Sequence, residues 1–386
     1  MTNLAKHSTL VSTCRSFGNA RMLALFLALA LVATKPAQAQ IFTVLHTFTG
    51  GQDGATPYSG LTLDRAGNLY GTTVYGANGS CLGGCGTVFR ISRAGVLTTL
   101  YRFHGDDGDA PEANVTIASE GRLCDTTEFG GVYGAGNIYS LQPPARALGN
   151  ATGQSNETVL YTFGPIDNGN GVEPWFGSLI FDHAGNLYGT ASAGGIGPCA
   201  TGGCGTVFEL TPSTSGWTYN VLYRFTCGTD GATPFSGVIF DAAGRLYGTA
   251  DGNLRCPLGT VYQLVPTDLT WTESTLHAFQ DQDDGAEPVG GLVIDAEGNL
   301  YGVTGNGGSG GGGVVYELSP AGDGWTFTPI YSLVGGPGGG SESTLTIDAA
   351  GNLYGTAAYD GAYHYGSVFK VRDSYHMNRQ RSYNGE

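Results

Sequence analysis

The first residues in this sequence with the type and spacing for chemistry are acidic. Asp53-Gly54, Asp107-Gly108, Asp230-Gly231 and Asp284-Gly285, with Asn170-Gly171 between them, each stand three residues before a proline. Aspartates brought onto one face can hold a cation or attract a cationic ligand. Each copy is also ordinary turn chemistry, because Asp caps nearby N–H groups and Gly takes the positive-φ position. The densest acidic group is Asp281, Asp283, Asp284 and Glu287. Calcium takes six to eight oxygens, and this spacing lacks the terminal Glu of a complete calcium loop. The sequence therefore requires no cofactor, and calcium is the one these residues leave open. Trp175 and Phe176 follow the third of these loops. They offer either an aromatic platform for a sugar or a cation, or packing between neighbouring repeats.

Cysteine is the second chemical group. Cys81/Cys85 and Cys199/Cys204 occupy the same place in two repeats, each inside a glycine-rich loop, and Cys227 and Cys256 flank a third repeat. Zinc would need four converging ligands, and no His flanks these pairs. In an exported chain they read as disulfides 81–85, 199–204 and 227–256. Cys124 is left over within a strand, as a small buried apolar residue. No Gly-x-Ser-x-Gly elbow and no His-Glu-x-x-His is present, so no catalytic residue is assigned. Carboxylates from distant repeats could still converge for glycoside cleavage.

The elements that must position these residues are repeats. Gly67-Asn68-Leu69-Tyr70-Gly71-Thr72 recurs with its Tyr position at 70, 124, 188, 247, 301 and 354, a spacing of 53 to 64 residues. Each unit carries four short runs of period-two alternation separated by Gly and Asp, the pattern of antiparallel strands. Six such units predict an all-β, six-bladed β-propeller with four strands per blade. The units span about 60–103, 114–163, 178–225, 237–279, 291–333 and 344–371. A lone strand of the fourth type, residues 42–48, precedes the first unit, and the last unit lacks one. The N-terminal strand is thus expected to complete the sixth blade and close the ring. In such a meander the loops after the second and fourth strands share a face. The Asp-Gly loops and the glycine-rich loops lie there, whereas the Asp64-Arg65-Ala66-Gly67 turn and its copies occupy the other face and hardly vary. Variable loops on a rigid scaffold are where function is expected.

Composition sets the compartment. Glycine is 66 of 386 residues and charged residues are 13%. Residues 1–39 hold Lys6, Arg15 and Arg21, then an apolar run from Met22 to Ala33, then Ala37-Gln38-Ala39. Basic start, short apolar stretch and small-x-small site predict a secretory signal cleaved before Gln40. The run is too short to span a bilayer, so no stable membrane insertion is expected. Cleavage leaves 13 basic against 32 acidic residues, a net charge of −19. That field repels phosphate backbones, which excludes nucleic acid as a partner. Residues 374–386 form a polar tail expected to be disordered.

The string Asp-Gly-Ala-Thr-Pro, Gly-Leu-Thr-Leu-Asp-x-Ala-Gly-Asn-Leu-Tyr-Gly-Thr-Thr and Gly-Thr-Val-Phe resembles the GloVer repeat, a tandem repeat of bacterial secreted proteins, over residues 42–371. The resemblance implies an exported, propeller-like protein without an assigned chemistry. Repeat 2 departs from the pattern with Cys124-Asp125, and repeat 6 lacks the Asp-Gly-Ala-Thr-Pro loop. The expected function is a non-catalytic binding or surface interaction module, periplasmic or extracellular. It would take a glycan, peptide or protein on the loop face around Asp53, Asp107, Asp230, Asp284, Trp175 and Phe176. The alternative is a secreted hydrolase or lyase acting on a carbohydrate, with acidic residues around the central opening.

Overall fold

Every element of the structure is a β-strand. The structure, a computed structural model, describes residues 45–372 apart from 78, 144–154, 166–168, 201, 253–255, 257, 269, 282, 335–343, 349–350 and 358–366. The leader at 1–39, residues 42–44 of the lone strand and the tail at 374–386 lie outside the described residues. Among the described residues no helix is long and apolar enough to cross a membrane.

Six antiparallel sheets form the blades of a ring, a six-bladed β-propeller. The first blade is Thr62–Leu63, Leu69–Thr73, Thr87–Ile91 and Leu97–Arg102, hydrogen-bonded in sequence order. Four more blades repeat this order, and the sixth has, among the described residues, three strands, Thr346–Ile347, Asn352–Ala357 and Ser367–Arg372. Residues 45–49 lie outside any strand. Every four-stranded blade shifts register between its third and fourth strands at the same place, as at Val88/Phe89 and Val207/Phe208. A bulge at this point bends the outer strand and increases its twist.

The core lies between blades. Phe89, Tyr139, Phe208, Tyr262 and Tyr316, one per blade on the third strand, are all buried. A Phe that follows the preceding blade's fourth strand meets four of these rings edge-on: Phe103 on Tyr139 at 5.0 Å, Phe163 on Phe208 at 5.7 Å, Phe225 on Tyr262 at 5.1 Å and Phe279 on Tyr316 at 5.3 Å. The glycine after the repeated Tyr makes room for these rings. A Cβ on Gly71 would lie 2.8 Å from Phe89, and one on Gly189 would lie 2.6 Å from Phe208. Hydrogen bonds tie each blade to the next, as from Thr62 Oγ1 to the Val115 carbonyl, 2.6 Å, and from Thr116 Oγ1 to the Leu179 carbonyl, 2.6 Å.

The constant turn is built by its aspartate. Asp64 accepts from the N–H groups of Ala66 and Asn68, each 2.8 Å, from Asn68 Nδ2 and from the Tyr70 hydroxyl. Asp182, Asp241, Asp295 and Asp348 cap their turns in the same way. These five acids are structural, and the turn keeps its backbone bonds at Ala118, where the Asp is missing.

The three disulfides are Cys81–Cys85, Cys199–Cys204 and Cys227–Cys256, with Cys124 free and buried. All lie on the side where the second and fourth strands end, and their presence fits an exported chain. The pairing is as the sequence suggests. Within their glycine-rich loops Cys85 and Cys204 turn inward: both are fully buried, and each belongs to a core cluster. Cys204 packs with Phe225 and Ala232, and Cys85 packs with Phe103. The cause is the backbone. The Cys204 N–H donates to the Ile196 carbonyl at 2.7 Å, and its own carbonyl accepts from Thr233 N at 2.8 Å, which draws the residue under the loop of the next blade. A Cβ on Gly197 would lie 2.6 Å from Cys204 Sγ, so that glycine lets the loop close over the sulfur. Each short disulfide therefore pins a half-buried cysteine, Cys81 or Cys199, to the core.

Candidate functional site

On the loop face, each loop joining a fourth strand to the next blade pairs with the loop after that blade's second strand. Ala55 bridges Tyr75, Asp109 bridges Phe129 and Ala286 bridges Asn306, while Gly171–Val172 and Ala193–Gly194 form a small two-stranded sheet. Four of these loop prolines, Pro111, Pro174, Pro234 and Pro288, then dock on the preceding blade. A Cβ on Gly86 would lie 2.7 Å from Pro111 Cδ, and one on Gly205 would lie 2.4 Å from Pro234 Cδ, so the glycine before Thr-Val-Phe is a docking surface. The residue before each proline is left-handed: φ is 57° at Thr56, 54° at Ala110, 55° at Glu173, 55° at Thr233 and 57° at Glu287. Non-glycine residues adopt this region at a cost, and the surrounding loop pairing holds it.

The aspartates of the Asp-Gly pairs sit toward the outer strand, and each is held by its own loop. Asp230 accepts from Thr226 N at 2.8 Å, Thr226 Oγ1 at 2.7 Å, Gly228 N at 3.0 Å and the Tyr223 hydroxyl at 3.0 Å. Asp107 accepts from the Tyr101 hydroxyl and from His104 N, and Asp284 bonds His277 Nε2 and Gln280 N. Asp53 takes Thr49 and His46, and the Thr49 hydrogen bond leads in holding its carboxyl down at about 2. In every one of these loops the residue two before the Phe that precedes the loop bonds the Asp or Asn that follows. That residue is His46, Tyr101, Tyr161, Tyr223 or His277.

Asp281, Asp283 and Glu287 are exposed. Among the described residues, two groups place three ligand atoms within 4.8 Å of one another: Cys199/Cys227/Cys256 and Cys81/Cys85/Asp109. Their sulfurs are taken up by the disulfides, Cys199 by Cys204. Cys124 carries a thiol that burial pushes up to about 11, which leaves it protonated and unreactive.

A different set of carboxylates meets further in. Glu128 follows the second strand of blade 2, at the place where blades 1, 3 and 5 carry Val74, Ser192 and Gly305 and blade 4 carries Asp251. It is 6% exposed, and its side chain has no hydrogen-bond partner among the described residues. Burial, then the charges of Glu112, Glu173 and Asp109, push its carboxyl up to about 8. Glu112 is 8% exposed and is pushed up by burial to about 6, although Trp175 Nε1 donates to its Oε2. Burial also raises Asp109 and Glu173. On blade 4, at the place that Glu128 takes on blade 2, Asp251 is pushed up to about 7 by burial and by the charge of Glu287. Trp175 itself is half-buried, stacked on Phe176 at 5.3 Å and edge-on to Phe235 at 5.0 Å. Glu112, Trp175 and Phe235 each follow the loop proline of successive blades, so their contacts link blades 2, 3 and 4 just before the first strand of each.

The repeat described as Gloeobacter/Verrucomicrobia repeat matches residues 30–201 and 176–386. The chain belongs to this family. No curated protein matches it by sequence. Among solved structures, a luciferin-regenerating enzyme is 15% identical at a TM-score of 0.51, over 83% of this chain and 93% of that one, a likeness of fold. A gluconolactonase from Xanthomonas campestris is 16% identical at a TM-score of 0.44, over 79% of this chain and 84% of that one.

Within this Gloeobacter/Verrucomicrobia repeat chain, sequence reasoning passed over Asp109, Glu112, Glu128, Glu173 and Asp251. A signal was available at Asp109 and Glu112, where the other repeats carry no acid, whereas Glu128 and Asp251 share one repeat position and Glu173 is matched by Glu287. Glu112 stands where the others have Tyr58, Trp175, Phe235 and Val289 after the proline.

Proposed function

We propose that the protein is an exported, non-catalytic binding module, periplasmic or extracellular, that receives a positively charged group of a peptide or protein ligand at the acidic opening of its loop face. The observation that carries this reading is Glu128, a nearly buried carboxyl without a partner among the described residues, faced by three further carboxyls. Such a group is held protonated until a cation arrives, and a Lys or Arg side chain would supply the missing donor. Trp175, fixed by Glu112 and Phe235, adds a ring face beside it. The aspartates of the Asp-Gly pairs support the loops that frame the opening. The test is calorimetric titration with the peptide acetyl-Lys-Arg-Lys-amide. Glu128→Gln is expected to weaken binding by about tenfold, the worth of one charge-assisted hydrogen bond. Equal affinity for both proteins would remove Glu128 from the site.

Carbohydrate hydrolysis or elimination is the second reading, and the split between Glu112 at about 6 and Glu128 at about 8 favours it. A carboxyl acid beside a carboxylate is a general-acid arrangement. Turnover of a glycan by the wild type, lost in Glu128→Gln, would replace the binding reading with this one.

We also propose that residues 42–48 complete the sixth blade. His46 bonds Asp53 as Tyr101 bonds Asp107, and Phe48 meets Phe89 edge-on at 5.1 Å as Phe103 meets Tyr139. These are the contacts a fourth strand makes with the following blade. Leu61 and Leu63 on the first blade are 51% and 64% exposed, unlike the buried Leu179 and Leu292 that correspond to Leu61. Deleting residues 40–50 is expected to lower the melting temperature of the whole ring. An unchanged melting temperature would exclude this closure.

A further inference from the structure

On the opposite face, between blades 4 and 5, lies a cleft of about 500 Å³ that the loop-face reading does not use. Its walls are the constant turns of both blades and the hairpin between the third and fourth strands of blade 5, and they include Arg245, Gln263, Ile294, Asp295 and Trp325.

Three residues open and furnish it. The first is Ile294, at a position that also holds Ile117 and Ile347 but Phe181 and Phe240. The corresponding residue one blade earlier is Phe240, whose ring packs edge-on against Tyr188 at 5.0 Å. The smaller Ile294 leaves that space open beside Tyr247. The second is Arg245, which stands where four other repeats have Asn68, Asn186, Asn299 and Asn352. Its Nε bonds Asp241 at 2.5 Å, replacing the Asn amide. Its two terminal nitrogens have no hydrogen-bond partner among the described residues, and the residue is exposed. The third is Gln263, where blade 3 has Glu209. Gln263 Nε2 donates to the Tyr247 hydroxyl at 2.7 Å, and that hydroxyl donates to Asp241 at 3.1 Å. Trp325 closes one side, edge-on to Tyr247 at 5.9 Å.

From this chemistry we infer that the cleft is a second binding site, for a neutral oligosaccharide. The guanidinium offers donors, and the Gln263 amide oxygen offers an acceptor beside them, while Asp241 and Asp295 are engaged by their own turns. A sugar hydroxyl both donates and accepts, so it can use each. Trp325 supplies the apolar surface that a sugar ring face covers. An anionic ligand would meet Asp241, Asp295, Glu297 and Asp323, and a cationic one would meet Arg245 in the cleft. A volume near 500 Å³ lies within the range of small-molecule sites.

Two substitutions test this using side chains the repeat already tolerates: Arg245→Asn and Ile294→Phe. Cellopentaose, xylopentaose, maltopentaose and chitopentaose would be titrated into the full chain, followed by calorimetry and tryptophan fluorescence. At least one is expected to bind the wild type, and each variant is expected to bind it about tenfold more weakly with an unchanged melting temperature. Absence of binding by all four sugars, or equal affinity in both variants, would overturn the proposal. Should Ile294→Phe lower the melting temperature, Arg245→Asn alone decides, because Asn makes the same turn in four other blades.

Discussion

The loop face carries two kinds of carboxylate on equivalent loops. Asp230, toward the outer strand, has four donors. Glu128, at the opening, is as deeply buried and has none among the described residues. The outer acids recur in four of five loops, and among the inner ones Asp251 matches Glu128 and Glu287 matches Glu173, so it is the donors and not the repetition that separate the two kinds. An acid saturated by its own loop is part of the scaffold, whereas a buried acid that finds no partner is kept at a cost to stability. Proteins retain such groups where a ligand is to be met.

The comparison can be broken most forcefully at Asp230. Asp230→Ala strands the Thr226 and Gly228 donors and the Tyr223 hydroxyl, and should cost about 3 kcal/mol by urea unfolding. Peptide affinity should stay unchanged under conditions where the variant is folded. A large loss of affinity would make the outer acids part of the site.

Glu128→Gln should act in the other direction. The Glu128 carboxyl has a folded-state value of about 8, above its ordinary 4.5. Its contribution to stability is therefore complete below pH 4.5 and is lost as pH rises through 8. The wild type should weaken over that window, and the Gln variant should be more stable than wild type by about 2 kcal/mol at about pH 9. At about pH 4, below both values, the two should unfold alike.

The smallest effect is expected at Asp53, whose carboxyl is held down to about 2 from an ordinary 3.8. Here the sign reverses: the stabilisation is present above pH 3.8 and is lost as pH falls through 2. Asp53→Asn should cost under about 1 kcal/mol at neutral pH, since the group is near the surface. The difference should vanish at the acid end. Matching pH slopes for Asp53 and Glu128 would erase the distinction between the two kinds of acid.

The architecture was legible because it is local and repeated. Tyr70-Gly71 and its copies mark the second strand, and the glycine is needed where the next strand's ring approaches. The disulfides were legible because Cys81/Cys85 and Cys199/Cys204 share a loop position. That Cys85 and Cys204 turn inward to the core was not, because it depends on a contact with the loop of the following blade. The link between outer-strand aromatic and loop acid, as in Tyr223 with Asp230, was within reach, because both recur at a nearly fixed offset. The opening was not legible in this way. Glu112, Glu128 and Glu173 come from three loops in two blades, and they meet only because each loop proline docks on the preceding blade. Periodicity averages such residues away, and subtracting the repeat exposes Glu112 but not Glu128 or Glu173, which Asp251 and Glu287 match. Asp125 shows the same limit. It stands where other blades have Gly, and it is fully buried, bonded to Thr126 N and to the Tyr139 hydroxyl, an arrangement no spacing rule foretells.

The central claim is that Glu128 gives up its proton to a bound cation. The direct measurement is the affinity for acetyl-Lys-Arg-Lys-amide from about pH 6 to 9, with proton release followed by calorimetry in two buffers of different ionisation enthalpy. The account predicts affinity rising about tenfold per pH unit up to about 8 and then levelling, as linkage requires for one proton released. It also predicts close to one proton released at neutral pH and none in Glu128→Gln. An affinity independent of pH, or proton release unchanged in the variant, would contradict it.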